Sequence, residues 1–194
     1  MLISLPMHEF AHALAAYKLG DDTAKQMGRL TLNPLKHLDL LGAALMVFTG
    51  FGWAKPVPIN PNNFRNRKTG FALSALAGPV SNLILAYLAI VILRLLSLNP
   101  NSLVGLFFYY LAILNIGLGV FNLIPVPPLD GSRIFSLILP EKQYFKIMKY
   151  EGICFLLLFI AMQFPFFTSL IGMIQQFTWR LLLLLTNWMS LFGH

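Results

Sequence analysis

Residues 71–98 read FALSALAGPVSNLILAYLAIVILRLLSL, with Arg94 as the only charged side chain. A helix that crosses a bilayer needs about 20 mainly apolar residues, and this stretch exceeds that. Working outward, 103–124 is a second such run. Residues 144–164 and 166–192 offer two more, parted at Pro165. The first run, 2–19, is just long enough to cross and carries His8, Glu9 and His12. Across all 194 residues, 57% are hydrophobic and only 11% charged, where a soluble domain carries about a quarter. That balance excludes a disordered chain, a soluble enzyme and a secreted disulfide scaffold. The single cysteine, Cys154, has no partner for an internal bridge and says nothing of redox compartment. The fold class expected is an all-α polytopic membrane protein with about five to six transmembrane helices. It forms one domain over 1–194, with a core in 1–140 and C-terminal helices in 141–194.

The net charge of +7 does not point to nucleic acid, because the cations form no aromatic-interleaved patch. They fall between the apolar runs as Lys18, Lys25, Arg29 and Lys36, then Lys55, Arg65, Arg67 and Lys68, then Arg133, Lys142, Lys146 and Lys149. Cytoplasmic loops carry such an excess. Residues 38–52 form a shorter apolar run. If it dips in and returns, all three clusters share the cytoplasmic side, so a re-entrant segment and five spans are expected, with the N-terminus outside and the C-terminus inside. No basic region precedes the first run, so no cleavable signal peptide is expected. Short membrane-associated strands are expected at Arg29–Leu32 and at 52–60. In the latter, Pro56 and Pro58 permit only an edge position.

The chemistry concentrates in His8-Glu9-Phe10-Ala11-His12. On a helix, residues four apart share a face, so the two imidazoles can converge on one metal ion. Glu9, one position on, can reach a water on that metal and act as its base. Catalytic zinc takes three protein ligands and leaves a position open. Candidates for the third are His37, Asp39, Asp130, Glu141 and Glu151. The two glutamates lie among lysines and read as solvated, as does His37 beside Lys36. Asp39 reads better as a helix N-cap. Asp130 closes NLIPVPPLDG (122–131), an apolar stretch broken by prolines. Broken backbone at membrane depth is tolerated only inside protein or along a polar cavity, so Asp130 is the preferred ligand over a plain Asp-Gly turn. Ser74, Gly78 and Asn82 share one small-residue helical face, and Asn115, Gly119 and Asn122 another. Such faces let membrane helices approach closely. The asparagines are then either interhelical glue or, for Asn82 and Asn122, donors to the oxyanion or substrate.

In order along the chain, HEFAH, GRLTLNPLKHLD, GWAKPVPIN, AGPVSN and FNLIPVPPLDG resemble the motifs of the site-2 protease family of intramembrane zinc metalloproteases, peptidase family M50. The resemblance covers roughly 7–133. It implies Zn2+ on His8, His12 and Asp130, Glu9 as base, and Asn82 and Asn122 lining the site. It also implies that Trp53, Ala54, Lys55 and Val57 belong to a strand that pairs with an unwound substrate. The implied partners are the lipid bilayer and a membrane protein with a transmembrane segment. The implied location is the cell membrane, multi-pass, with the site open to the cytoplasm. No stretch matches a PDZ or CBS segment, the lead before His8 is shorter than the family's usual one, and 141–194 carries no family motif. A zinc transporter or channel using the same cluster would need polar residues along a whole path, and here they gather at one level. An inactive scaffold would have no use for Glu9.

Overall fold

A computed structural model of the chain describes residues 2–39, 42, 44, 48, 55–99 and 101–188. The architecture is helical. In chain order come α1 (Ser4–Lys18), α2 (Thr23–Gln26), α3 (Pro34–His37), a 3-10 turn (Pro61–Asn63), α4 (Arg67–Leu95), α5 (Leu103–Asn122), α6 (Asp130–Ile134), α7 (Glu141–Met148), α8 (Glu151–Ala161) and α9 (Pro165–Leu184).

The boundaries follow local chemistry. Pro6 sits in the first turn of α1, where its missing N–H has no helical partner to lose. The helix stops at Gly20, whose φ of +111° is open to glycine at little cost. Gly20 N–H then bonds Tyr17 O at 3.2 Å and Asp21 N–H bonds Ala16 O at 2.9 Å, a Schellman ending. The side chain of Asn66 caps α4 by accepting from Thr69 N–H, and Ser102 caps α5 by accepting from Gly105 N–H.

Helix α4 is the spine. Its buried face repeats every fourth residue as Gly70, Ser74, Gly78, Asn82, Ala86 and Ile90, so α1 packs on the first part and α5 on the second. Ala86, Ala89 and Ile90 meet Ala112, Ile116 and Val120 of α5 and Leu182 of α9 in the main apolar cluster. Small side chains there let the backbones close up, which is how helices associate without a hydrophobic drive from lipid.

Two helices, Arg67–Leu95 and Leu103–Asn122, are each long and apolar enough to cross a membrane. The pair Glu151–Ala161 and Pro165–Leu184 qualifies only when taken together, and is bent by 91°. The expected count of five to six spans is therefore reduced to two or three among the described residues. The run at 144–164 does not form one helix. It breaks at Lys149–Tyr150 between α7 and α8, and α8 has 11 residues, or about 16 Å, too short to cross. Helix α1 has 15 residues, about 22 Å, against a core of about 30 Å.

No β-strand occurs among the described residues, so the expected strand at Arg29–Leu32 is corrected. What joins the two segments is a side chain. Arg29 Nη2 donates to the carbonyls of Lys55 at 2.5 Å and Pro56 at 3.3 Å. Pro56 and Pro58 lack the N–H groups a ladder needs, so contact through a guanidinium takes its place. A main-chain bond, Lys55 N–H to His37 O at 2.8 Å, sets residues 37 and 55 side by side. The flanks of the run at 38–52 thus meet at one end of the molecule; most of the run itself, with Trp53 and Ala54, lies outside the described residues.

Helix α9 runs parallel to α4. Arg94 Nη1, near the end of α4, donates to Thr186 Oγ1 at 2.5 Å and to Leu183 O and Asn187 Oδ1 at 3.4 Å. The end of α9 therefore lies beside the turn at 96–102.

Candidate metal centre

Three ligand-type side chains converge where α1, α4 and α6 meet. His8 and His12 come from successive turns of α1, and Asp130 is the first residue of α6. His12 Nε2 lies 2.9 Å from His8 Nε2 and 3.1 Å from Asp130 Oδ2, and His8 Nε2 lies 3.1 Å from the same oxygen. All three residues are buried.

Their outer atoms decide what the cluster is for. His8 Nδ1 donates to Asn82 Oδ1 at 2.5 Å, and His12 Nδ1 donates to the Ser74 carbonyl at 2.7 Å. With both acceptors on Nδ1, the proton of each neutral ring sits there, and each Nε2 presents a lone pair. Two such lone pairs and a carboxylate oxygen at about 3 Å in a buried site repel unless a cation lies among them. Tetrahedral zinc with bonds of about 2.0–2.1 Å sets its ligand atoms about 3.3 Å apart, within a few tenths of the observed spacing. The donor set fits zinc.

The surrounding backbone is shaped to admit this cluster. Gly78 of α4 faces it so closely that a Cβ there would run into His12 Nε2 and lie 2.7 Å from His8 Cε1. A Cβ on Gly131 would run into the Leu123 carbonyl, so that glycine lets α6 fold back under the end of α5 and deliver Asp130. Behind His8, Asn82 Nδ2 donates to Asn115 Oδ1 at 2.8 Å, and Asn115 Nδ2 donates to Ser4 Oγ at 2.9 Å. This buried relay ties α1, α4 and α5 together and fixes the His8 ring.

Residues 99–160 match Peptidase family M50. The chain is 45% identical over 171 residues, 83% of its length and 78% of the relative's, to the Bacillus subtilis (strain 168) protein named "Putative zinc metalloprotease YwhC". The chain belongs to peptidase family M50. It is also 33% identical, over 67% of this chain and 52% of the relative, to the Mycolicibacterium smegmatis protein named "Putative zinc metalloprotease Rip2". It is 28% identical, over 73% of this chain and 34% of the relative, to the Methanocaldococcus jannaschii "Zinc metalloprotease MJ0392". No solved structure matches. This M50 member is a zinc metalloprotease of the site-2 protease family, and its long apolar helices mark it as a membrane protein.

Within the M50 chain, the other singled-out residues fall as follows. Glu9 is buried beside the ligands on α1, and its Oε2 accepts from Val57 N–H at 3.0 Å. Asn82 has both ends of its amide engaged, with His8 and with Asn115. Asn122 Nδ2 donates to Leu118 O within its own helix at 3.0 Å and is not joined to the cluster. His37 is buried, contrary to its solvated reading, with Nε2 donating to Thr31 O at 2.8 Å. Asp39 Oδ1 accepts from Gly42 N–H at 2.8 Å, as an N-cap does. Glu151 is exposed. Lys55 is exposed, whereas Val57 is buried against Ala13 and Ala24. Three groups escaped the sequence reading: the Ser74 carbonyl, the Val57 N–H and the space at Gly78. Only the last left a trace, as a glycine inside a helix, which costs about 1 kcal/mol against alanine on the face that carries Asn82.

Proposed function

We propose that this chain is an intramembrane endopeptidase that hydrolyses a peptide bond in or next to the transmembrane segment of another membrane protein. The observation that carries the reading is the buried convergence of three ligand-type side chains beside Glu9, in a chain whose neighbouring helices are long enough to cross a bilayer. His8, His12 and Asp130 would hold the zinc, which when bound acidifies water and polarises a carbonyl. Glu9 takes one proton from the attacking water as its oxygen bonds to the scissile carbon. It returns that proton to the amine nitrogen as the C–N bond breaks. Asn82 and the Ser74 carbonyl keep both imidazoles in the tautomer that leaves Nε2 free.

A peptide bond within a helix is shielded by its own hydrogen bonds, so the substrate has to unwind locally. The extended segment at 55–60 is proposed to receive it. Residues 56 and 58 have no N–H, and those of Lys55, Val57 and Asn60 are spent on His37 O, Glu9 and Asp21. A substrate strand there is therefore met mostly by carbonyls, with Ile59 N–H the one main-chain donor of 55–60 left over, and supplies most of the N–H groups itself. The basic clusters support cytoplasmic access to the site. Arg29 touches the backbone at 55–56, and Lys68 Nζ donates to Leu139 O at 3.3 Å, so members of all three clusters gather at one end, where the positive-inside rule places the cytoplasm. The meeting of residues 37 and 55 supports a re-entrant course for the run between them.

The test uses the purified protein in lipid vesicles with a single-span reporter. Glu9→Gln should keep about one zinc per chain and lose cleavage by a factor of about 100 to 10,000. A variant that still cleaves removes Glu9 from the base role, and a parent protein without zinc removes the metal reading.

A further inference from the structure

The segment at 55–60 reaches the metal centre through one atom. Val57 N–H donates to Glu9 Oε2 at 3.0 Å, and the prolines on either side leave no competing donor within one residue. The segment is pinned at both ends. On one side, Lys55 N–H bonds His37 O at 2.8 Å, and Arg29 holds the carbonyls of Lys55 and Pro56. On the other, Asn60 N–H bonds Asp21 Oδ2 at 2.7 Å. Asp21 is fully buried and also accepts from Thr23 N–H, Thr23 Oγ1 and Asn63 Nδ2. Between these anchors the Val57 side chain fills a small core with Ala13 and Ala24. Its position, and so the direction of its N–H, is set by packing.

A glutamate side chain has three rotatable bonds and a broad terminal torsion. A base works only when its oxygen lies within hydrogen-bond reach of the proton it takes. A charge-assisted bond from a rigid backbone N–H to one oxygen holds the carboxylate plane and leaves the other oxygen free. We infer that the Val57 main-chain N–H is a positioning group for Glu9: it orients the general base rather than reading the substrate backbone. This rests on the proposed role of Glu9. It moves Val57 from the substrate-docking surface into the support of the catalytic centre.

The N–H can be deleted alone by replacing Val57 with 2-hydroxyisovaleric acid, an ester in place of the amide, through nonsense suppression in the full chain. Reporter cleavage in vesicles should then lose about 10- to 100-fold in kcat, with KM within about twofold and zinc content unchanged. A raised KM with kcat intact would assign the N–H to substrate binding, and parent values of both would make it a bystander; either overturns the proposal. A second readout needs no activity. Amides are so sparse in 55–60 that hydrogen exchange resolves them singly. Val57 N–H should lose protection in Glu9→Ala and keep it in Glu9→Gln, while Lys55 and Asn60 stay protected in both. Persistent protection of Val57 in Glu9→Ala overturns the assignment. If Glu9→Gln is inert yet the ester variant matches the parent, the positioning role fails and the base survives; if Glu9→Gln is active, the base itself fails.

Discussion

Helices α1 and α9 are built from similarly apolar sequence and used in opposite ways. Of the 15 residues of α1, seven are buried, and Ser4, His8, Glu9 and His12 are among them. Of the 20 in α9, only Leu182 is buried, and Phe166, Met173, Phe177 and Leu184 are more than 60% exposed. In a bilayer that exposure faces lipid, which is as apolar as the side chains themselves. Helix α1 is thus placed by specific polar partners on α4, α5 and α6, and α9 by a thin apolar contact, the Tyr109–Trp179 ring pair and hydrogen bonds from Tyr87 and Arg94 at its end. Substitutions near α1 should disturb metal and catalysis, and equivalent ones on α9 should leave both alone.

The sharpest way to break the contrast is at a ligand. His12→Ala should take zinc from about one per chain to near zero, read by elemental mass spectrometry, with cleavage abolished. Next is a pair of glycines. Gly78→Ala drives a methyl into His12 and should weaken zinc binding by about 10- to 100-fold or more in a chelator competition. Gly172→Ala on α9 meets nothing within 4 Å and should leave binding unchanged. Asn82→Ala, which frees the His8 ring, should cost about 10-fold in zinc affinity or activity, whereas Gln176→Ala on α9 should cost neither.

A smaller effect is expected at the join between α1 and the 55–63 segment. Burial pushes the Asp21 carboxyl upward, but the hydrogen bonds from Thr23, Asn60 and Asn63 outweigh it and hold it below its ordinary range. The unfolded chain therefore takes up the proton first. The stability this group contributes is complete above about pH 4 and is lost as pH falls below it. Asp21→Asn should lower thermal stability at neutral pH, by about 1–2 kcal/mol, and flatten the acid limb of the stability curve. The smallest change belongs to α9. Arg94→Gln removes a cation from the last carbonyls of that helix and should cost about 0.5–1 kcal/mol with zinc content untouched. A loss of zinc in that variant would show that the two regions are coupled after all.

The ligand pair and the small-residue faces were legible because each is a local repeat of four residues, and helical geometry carries four-residue spacing into space. Asp130 was legible because proline-broken backbone among apolar residues needs a reason to be there. The strand at Arg29–Leu32 was misread because alternation of polar and apolar residues does not reveal whether ladder partners exist, and Arg29 supplied a different link. The span at 144–164 was misread because an apolar average hides the break at Lys149–Tyr150. The role of Asn82 and the bond from Val57 to Glu9 connect residues 74 and 48 positions apart. Nothing in either local sequence marks such a partner.

That α4 and α9 point the same way has a consequence for how the molecule sits across its membrane. With α5 as the return stroke between them, the chain from 123 to 164 has to stay at the end where Asp130 and the basic clusters lie. Among the described residues, the opposite end carries the turn at 96–102 and the last residues of α9. Most of the described chain outside the helices lies at the site end. Proteases or impermeant labels applied to sealed vesicles of known orientation should therefore find many targets from one side and few from the other.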